Sequence, residues 1–118
     1  MKFTFVELPV FTKQIDKLGQ PLSDDVLSAI EDDLLKDPER GDVIQGTYGA
    51  RKARIAGPSR QKGKRGGFRY VYVYFEVHGR IYLLLFYVKG VKDDLTRAEK
   101  DLIGESVKRT KESLKEGK

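Results

Sequence analysis

Apolar and polar positions alternate at the start of the chain. Phe3 and Phe5 stand between polar neighbours in Lys2–Glu7, which predicts a short strand. The period then lengthens: Phe11, Ile15 and Leu18 recur at helical spacing, and Gly19 and Pro21 stop that helix. Leu27, Ile30 and Leu34 carry a second helical stripe. Ser23 is its predicted N-cap, with Asp24 and Asp25 in the first turn and Leu22 and Leu27 as a hydrophobic staple across the cap. Pro38 ends this helix, because the residue before a proline is driven away from helical geometry.

The middle of the chain changes character. Gly41, Gly46 and Gly49 punctuate it, Val43-Ile44 predicts a short strand, and Arg51–Ala56 predicts another. Alternation along the latter puts Lys52 and Arg54 on one face and Ala53 and Ile55 on the other. Gly57–Gly67 is a Gly-rich basic loop. Phe68–Val77 and Arg80–Val88, rich in aromatic and branched residues, predict a hairpin with His78-Gly79 as a two-residue turn. In its first strand Tyr70, Tyr72 and Tyr74 share a face, open either to stacked bases or to helices as core. Arg69, Val71, Val73 and Phe75 share the other. Thr96-Arg97-Ala98-Glu99 matches a capping box, and Ile103, Val107 and Leu114 line one face of a closing helix. The order is strand, two helices, several strands, helix. It predicts one α+β domain over residues 1–118, with helices against an antiparallel sheet.

Charge sharpens this picture. Residues 1–42 carry 5 basic and 10 acidic side chains, residues 76–118 carry 10 and 8, and residues 43–75 carry 8 basic and no acidic ones. The positive field therefore comes from Arg51, Lys52, Arg54, Arg60, Lys62, Lys64, Arg65 and Arg69. Such a field attracts a polyanion, nucleic acid first, although a solvated basic loop has the same composition. Cysteine is absent, which removes zinc fingers, iron–sulfur clusters and disulfide frameworks. The longest apolar run, Ile81–Val88, is strand-sized, and Pro9 interrupts the N-terminal apolar stretch early. The expectation is a soluble, cytoplasmic protein without a membrane partner.

Several chemistries fit poorly. Asp24, Asp25, Asp32 and Asp33 read as helix-capping and solvated positions rather than metal ligands. His78, the only histidine, falls in a turn and has no evident serine partner. Gly57 to Gly63-Lys64 has five residues between its glycines and Arg65 after the lysine, so it is not a phosphate-binding P-loop. Metal-independent RNA cleavage fits better, with no cofactor. The ribose 2′-hydroxyl attacks the adjacent phosphate in line, so the protein must orient it, neutralise phosphate charge and assist proton transfer. Lys52, Arg54 and Arg69 supply groups of that kind. A plain nucleic-acid-binding module would carry them too.

Three segments narrow the choice: Gly41-Asp42-Val43-Ile44-Gln45-Gly46-Thr47 with Gly49-Ala50-Arg51-Lys52-Ala53-Arg54, then Gly63-Lys64-Arg65-Gly66-Gly67-Phe68-Arg69-Tyr70-Val71-Tyr72, then Tyr87-Val88-Lys89-Gly90-Val91-Lys92-Asp93-Asp94-Leu95-Thr96. In order and spacing they resemble HigB-type toxins of the RelE/ParE superfamily, across nearly the whole chain. The resemblance implies a RelE-like fold, with N-terminal helices and a C-terminal helix packed with a twisted antiparallel sheet. It also implies an mRNA endonuclease acting on the translating ribosome, and a cognate antitoxin, with a helix-turn-helix protein as the expected kind. By position Lys52, Arg54 and Arg69 match the family's strand cations, and Lys89 and Lys92 match the basic group after the last strand. Arg51, Arg60, Lys62, Lys64 and Arg65 are left to bind RNA. Family members often carry a tyrosine or histidine near the C-terminal side of the site. None follows Tyr87 here, which leaves Tyr87 and Lys92 as candidates to protonate the leaving oxygen. A ParE-like gyrase inhibitor shares the fold but has no use for the cation cluster. Arg69 poses a geometric question, since alternation puts it on the face of Val71 and Val73. Either it lies beyond the packed part of that strand or a bulge near Gly66-Gly67 re-aims it.

Overall fold

The computed structural model describes residues 2–55, 67–92 and 94–117. Its strands are β1 (Thr4–Glu7), β2 (Asp42–Val43), β3 (Arg51–Arg54), β4 (Phe68–Phe75) and β5 (Arg80–Val88), and its helices are α1 (Pro9–Asp16), α2 (Leu22–Lys36) and α3 (Arg97–Gly117). The strands form one sheet in the order β1-β5-β4-β3-β2. Neighbours run antiparallel except β1, which lies parallel to β5 with Phe5 opposite Ile81.

The sheet has a core on each face. Phe11 and Ile15 of α1 and Val26, Ile30 and Leu34 of α2 pack on Tyr70, Tyr72, Ile81, Leu83 and Phe86. Ile103 and Val107 of α3, with Leu95, pack on Val71, Val73, Phe75 and Leu84. The helical stripes and strand alternation thus match the layers that cover them. Tyr70 and Tyr72 are fully buried, so these two rings of the tyrosine face are core and unavailable to bases. Their hydroxyls are satisfied by the segment after α2. Tyr72 donates to the Pro38 carbonyl at 2.8 Å and accepts from the Gly41 amide at 3.0 Å. A Cβ at Gly41 would lie 3.0 Å from the Tyr72 ring and from the Lys52 carbonyl, so this close passage requires glycine.

Two local expectations are corrected. Ser23 is not the N-cap of α2: the helix begins at Leu22, Pro21 already has near-helical angles, and the Ser23 amide bonds the Gly19 carbonyl at 2.9 Å. Ser23 therefore sits buried inside the first turn. The hairpin connection is longer than His78-Gly79. Phe75 pairs with Arg80, Glu76–His78 forms a short 3-10 turn and leaves Val77 exposed, and left-handed Gly79 closes it. A bulge falls between β4 and β5. Val71 pairs with Leu85 but Tyr72 pairs with Leu83, so β5 carries one extra residue, Leu84. The capping box of α3 forms as expected, Glu99 N–H to Thr96 Oγ1 at 3.1 Å and Thr96 N–H to Glu99 Oε1 at 2.8 Å.

Candidate functional site

Pairing register assembles the site. Arg54 of β3 faces Arg69 of β4, and Arg69 faces Tyr87 of β5. The three form a row across neighbouring strands, with paired Cβ atoms roughly 5 Å apart. Lys52 lies two residues along β3, opposite Val71. All four share the sheet face that α3 covers, because Val71 and Tyr87 belong to the α3-side core. Arg69 needs no re-aiming: it lies past Val71 at the N-terminal end of β4, where Arg54 and Lys52 flank it.

Two arginines directly opposite one another on a sheet repel, at a cost on the order of 0.2–1 kcal/mol. Arg69 Nη1 donates to the Phe68 carbonyl at 3.2 Å, and an anion bound beside both arginines would offset their repulsion. Arg40, Asp42, Lys52, Ala53, Arg54 and Arg69 line a depression of about 330 Å³ at this edge. Arg40 was not singled out by the sequence. It follows α2 in the acid-rich part of the chain, and donates to the Arg54 carbonyl at 2.6 Å and the Tyr70 hydroxyl at 2.8 Å, beside Asp33. It thereby closes the edge of β3 where β2 no longer pairs.

Tyr87 is 5% exposed and is paired with Arg69 on the neighbouring strand. Burial pushes its phenol above its ordinary pKa, and Asp94 adds to this against the opposing pull of Lys52, Arg69 and Lys92. Tyr87 therefore holds its proton at neutral pH. It also lines a second depression of about 240 Å³, shared with Lys17, Leu18, Val91 and Lys92.

Neither lysine flank is bare. Lys52 Nζ donates to Asp94 Oδ1 at 2.9 Å, and Lys92 Nζ pairs with Glu99 Oε1 at 2.7 Å. The hydrogen bond from Lys52, with a second from the Leu95 amide, holds the Asp94 carboxyl below its usual range. Partial burial works to raise Glu99, but the bonds from Lys92 and Thr96 outweigh it and the carboxyl is lowered. Asp94 belongs to the third family-like segment. Its pairing with a residue 42 positions away is invisible to local pattern.

The remaining expected residues are dispersed. Arg51 lies on the opposite face of β3, where its Nη1 donates to the carbonyls of Glu39 and Gly41 at 2.9 and 2.8 Å. Lys89 is exposed just past β5, its amide bonded to the Gly67 carbonyl. Arg60, Lys62, Lys64 and Arg65 lie outside the described residues. His78 is exposed at the far end of the hairpin. There a larger, mainly apolar hollow of about 490 Å³ is lined by Tyr48, Val77, His78, Lys111 and Leu114, away from the cation row. Among the described residues no group of three potential metal ligands occurs, and no helix is long and apolar enough to cross a membrane.

No family model matches the sequence. Comparison of structures identifies the fold. The isolated Escherichia coli RelE toxin superposes with a TM-score of 0.53 at 16% identity, over 92% of this chain and 98% of that one. A chain of the Mycobacterium tuberculosis RelBE2 toxin–antitoxin complex gives 0.57 at 18%, over 75% and 100%. A chain of the archaeal RelE–RelB complex from Pyrococcus horikoshii gives 0.50 at 21%, over 76% and 98%. The chain shares the RelE-like fold of these structures: N-terminal and C-terminal helices on opposite faces of a five-stranded sheet.

Proposed function

We propose that this chain is the toxin of a toxin–antitoxin pair and cuts mRNA on the ribosome, in the cytoplasm, without a metal. The observation that carries this reading is the Arg54–Arg69–Tyr87 row with Lys52 beside it. In-line attack of a ribose 2′-oxygen on the neighbouring phosphorus forms a 2′,3′-cyclic phosphate and breaks the bond to the 5′-oxygen. The 2′-hydroxyl loses a proton and the 5′-oxygen gains one. Charge builds on the phosphate oxygens between these events. Two arginines paired across neighbouring strands match that charge and stay protonated throughout.

Tyr87 is the donor to the leaving 5′-oxygen. A phenol raised above its ordinary pKa keeps its proton at neutral pH and is poorly suited to act as a base. Lys52 supplies a further charge to the phosphate, and Lys89 and Lys92 bound the site from the segment after β5. Arg60, Lys62, Lys64 and Arg65 add sequence-independent affinity for ribosomal RNA. The partner is a cognate antitoxin, a reading supported by the toxin–antitoxin complexes in which similar folds occur.

The test is translation in vitro with the purified protein and mapping of mRNA 5′ ends. New ends that require translating ribosomes, and upstream fragments ending in cyclic phosphate, are expected. Intact mRNA together with inhibited DNA supercoiling would instead make the chain a gyrase inhibitor.

A further inference from the structure

The ion pair between Lys52 and Asp94 stands in the way of the chemistry proposed above. Lys52 is the cation nearest the Arg54–Arg69 row on β3, and its ammonium already donates to a carboxylate at 2.9 Å. Asp94 comes from the connection between β5 and α3. Its Oδ1 also accepts the Leu95 amide at 2.8 Å, Leu95 is buried, and the Thr96–Glu99 capping box follows at once. The carboxylate is thus anchored by its own main chain, while its side chain is 61% exposed. The same connection supplies Lys92, which is held by Glu99. Both lysines assigned to the site that have a described ion pair are therefore neutralised by carboxylates from one short stretch of chain.

We propose that Asp94 is a built-in occupant of the phosphate site, holding the Lys52 ammonium where an RNA phosphate oxygen binds, so that RNA must displace it. The inference rests on the RNA-cutting reading and concerns its regulation. A carboxylate and a phosphate diester each present oxygen acceptors with one negative charge, and a lysine ammonium exchanges one for the other without a preferred plane. An ion pair this exposed is weak, so exchange is reversible. Its effect is to lower the affinity for RNA that merely collides with the site. RNA held in register by a larger surface, such as the ribosome, recovers the difference through its other contacts. Asp94 thus favours positioned substrate over free polyanion.

The experiment compares wild type, Asp94→Asn, Asp94→Ala, Lys52→Gln and the Lys52→Gln/Asp94→Ala double variant. Binding of a fluorescent, uniformly 2′-O-methylated oligonucleotide, which cannot be cut, is measured by anisotropy at low salt. The Asp94 variants are expected to bind roughly fivefold more tightly, the size of effect an exposed ion pair permits. In the Lys52→Gln background the gain should vanish, because the competitor then has no cation to occupy. Equal or weaker binding by the Asp94 variants overturns the proposal. So does an equal gain with and without Lys52, which would mark a general field effect. A loss of single-turnover cleavage by Asp94→Asn with binding unchanged also overturns it, and would make Asp94 a proton-transfer group. Tighter, Lys52-dependent binding in a protein that cuts no mRNA would support the occupant while defeating the nuclease reading. Absence of binding by all five proteins would overturn the occupant and leave the ribosome-dependent nuclease reading standing.

Discussion

The two faces of the sheet start from similar strand patterns and end differently. On one, α1 and α2 cover Tyr70 and Tyr72 completely, and even the hydroxyls are bonded to the chain after α2. On the other, α3 lies over Val71, Val73 and Phe75, while Arg54, Arg69 and Lys52 at the other end of the strands retain exposure. Polar groups are affordable on the first face only as satisfied core. On the second a cation row gains from an anion arriving out of solvent. Coverage by helices, more than strand composition, separates buried core residues from exposed candidate residues here.

The strongest way to break this division is at the row itself. Arg54→Ala and Arg69→Ala should each lower single-turnover cleavage on the order of 10²–10³-fold, by analogy with loss of an oxyanion donor. Ribosome binding should fall little, because other cations remain. Cleavage that survives both changes would move the site off this face.

The covered face has its own test. Burial pushes the Tyr70 phenol up to about 12 from 10, so the folded state holds that proton more tightly than the unfolded chain. Its contribution is fully present below pH 10 and is lost as pH rises through about 12. Two pH units correspond to about 2–3 kcal/mol. Denaturant unfolding at pH 9 and pH 12 should show a fall of that order, and Tyr70→Phe should fall less. A flat profile would mean the ring is not buried.

On the α3 face, Gly104→Ala tests how closely the helix is seated. Its Cβ would lie 3.0 Å from the Gly46 carbonyl oxygen, in main chain that cannot swing aside. A loss of about 1–3 kcal/mol in unfolding free energy is expected. An unchanged midpoint would show that the helix can slide.

The smallest effect belongs to His78→Ala. The residue is exposed in the hairpin turn, remote from the row, so cleavage and stability should both match wild type. Abolished cleavage would move the site from the cation row to the hairpin turn.

Local rules carried much of the molecule. Helical stripes at Phe11/Ile15, Ile30/Leu34 and Ile103/Val107, the stop before Pro38 and the Thr96–Glu99 box depend on neighbours a few residues apart, and they formed as the sequence implies. So did the separation of Lys52 and Arg54 from Ala53, because alternation holds along an unbroken strand. Other features needed the fold. Burial of Tyr70 and Tyr72 depended on which helices cross that face. The pairing of Lys52 with Asp94, like the closure of β3 by Arg40, joins segments that only the sheet brings together. Tyr87 shows the reason most clearly. Unbroken alternation along β5 would put it with Ile81 and Leu83, facing α1 and α2. The extra residue at Leu84 reverses the parity and turns Tyr87 toward Arg69. A period of two assigns faces only until one residue is inserted, and where the insertion falls is settled by pairing with a neighbouring strand.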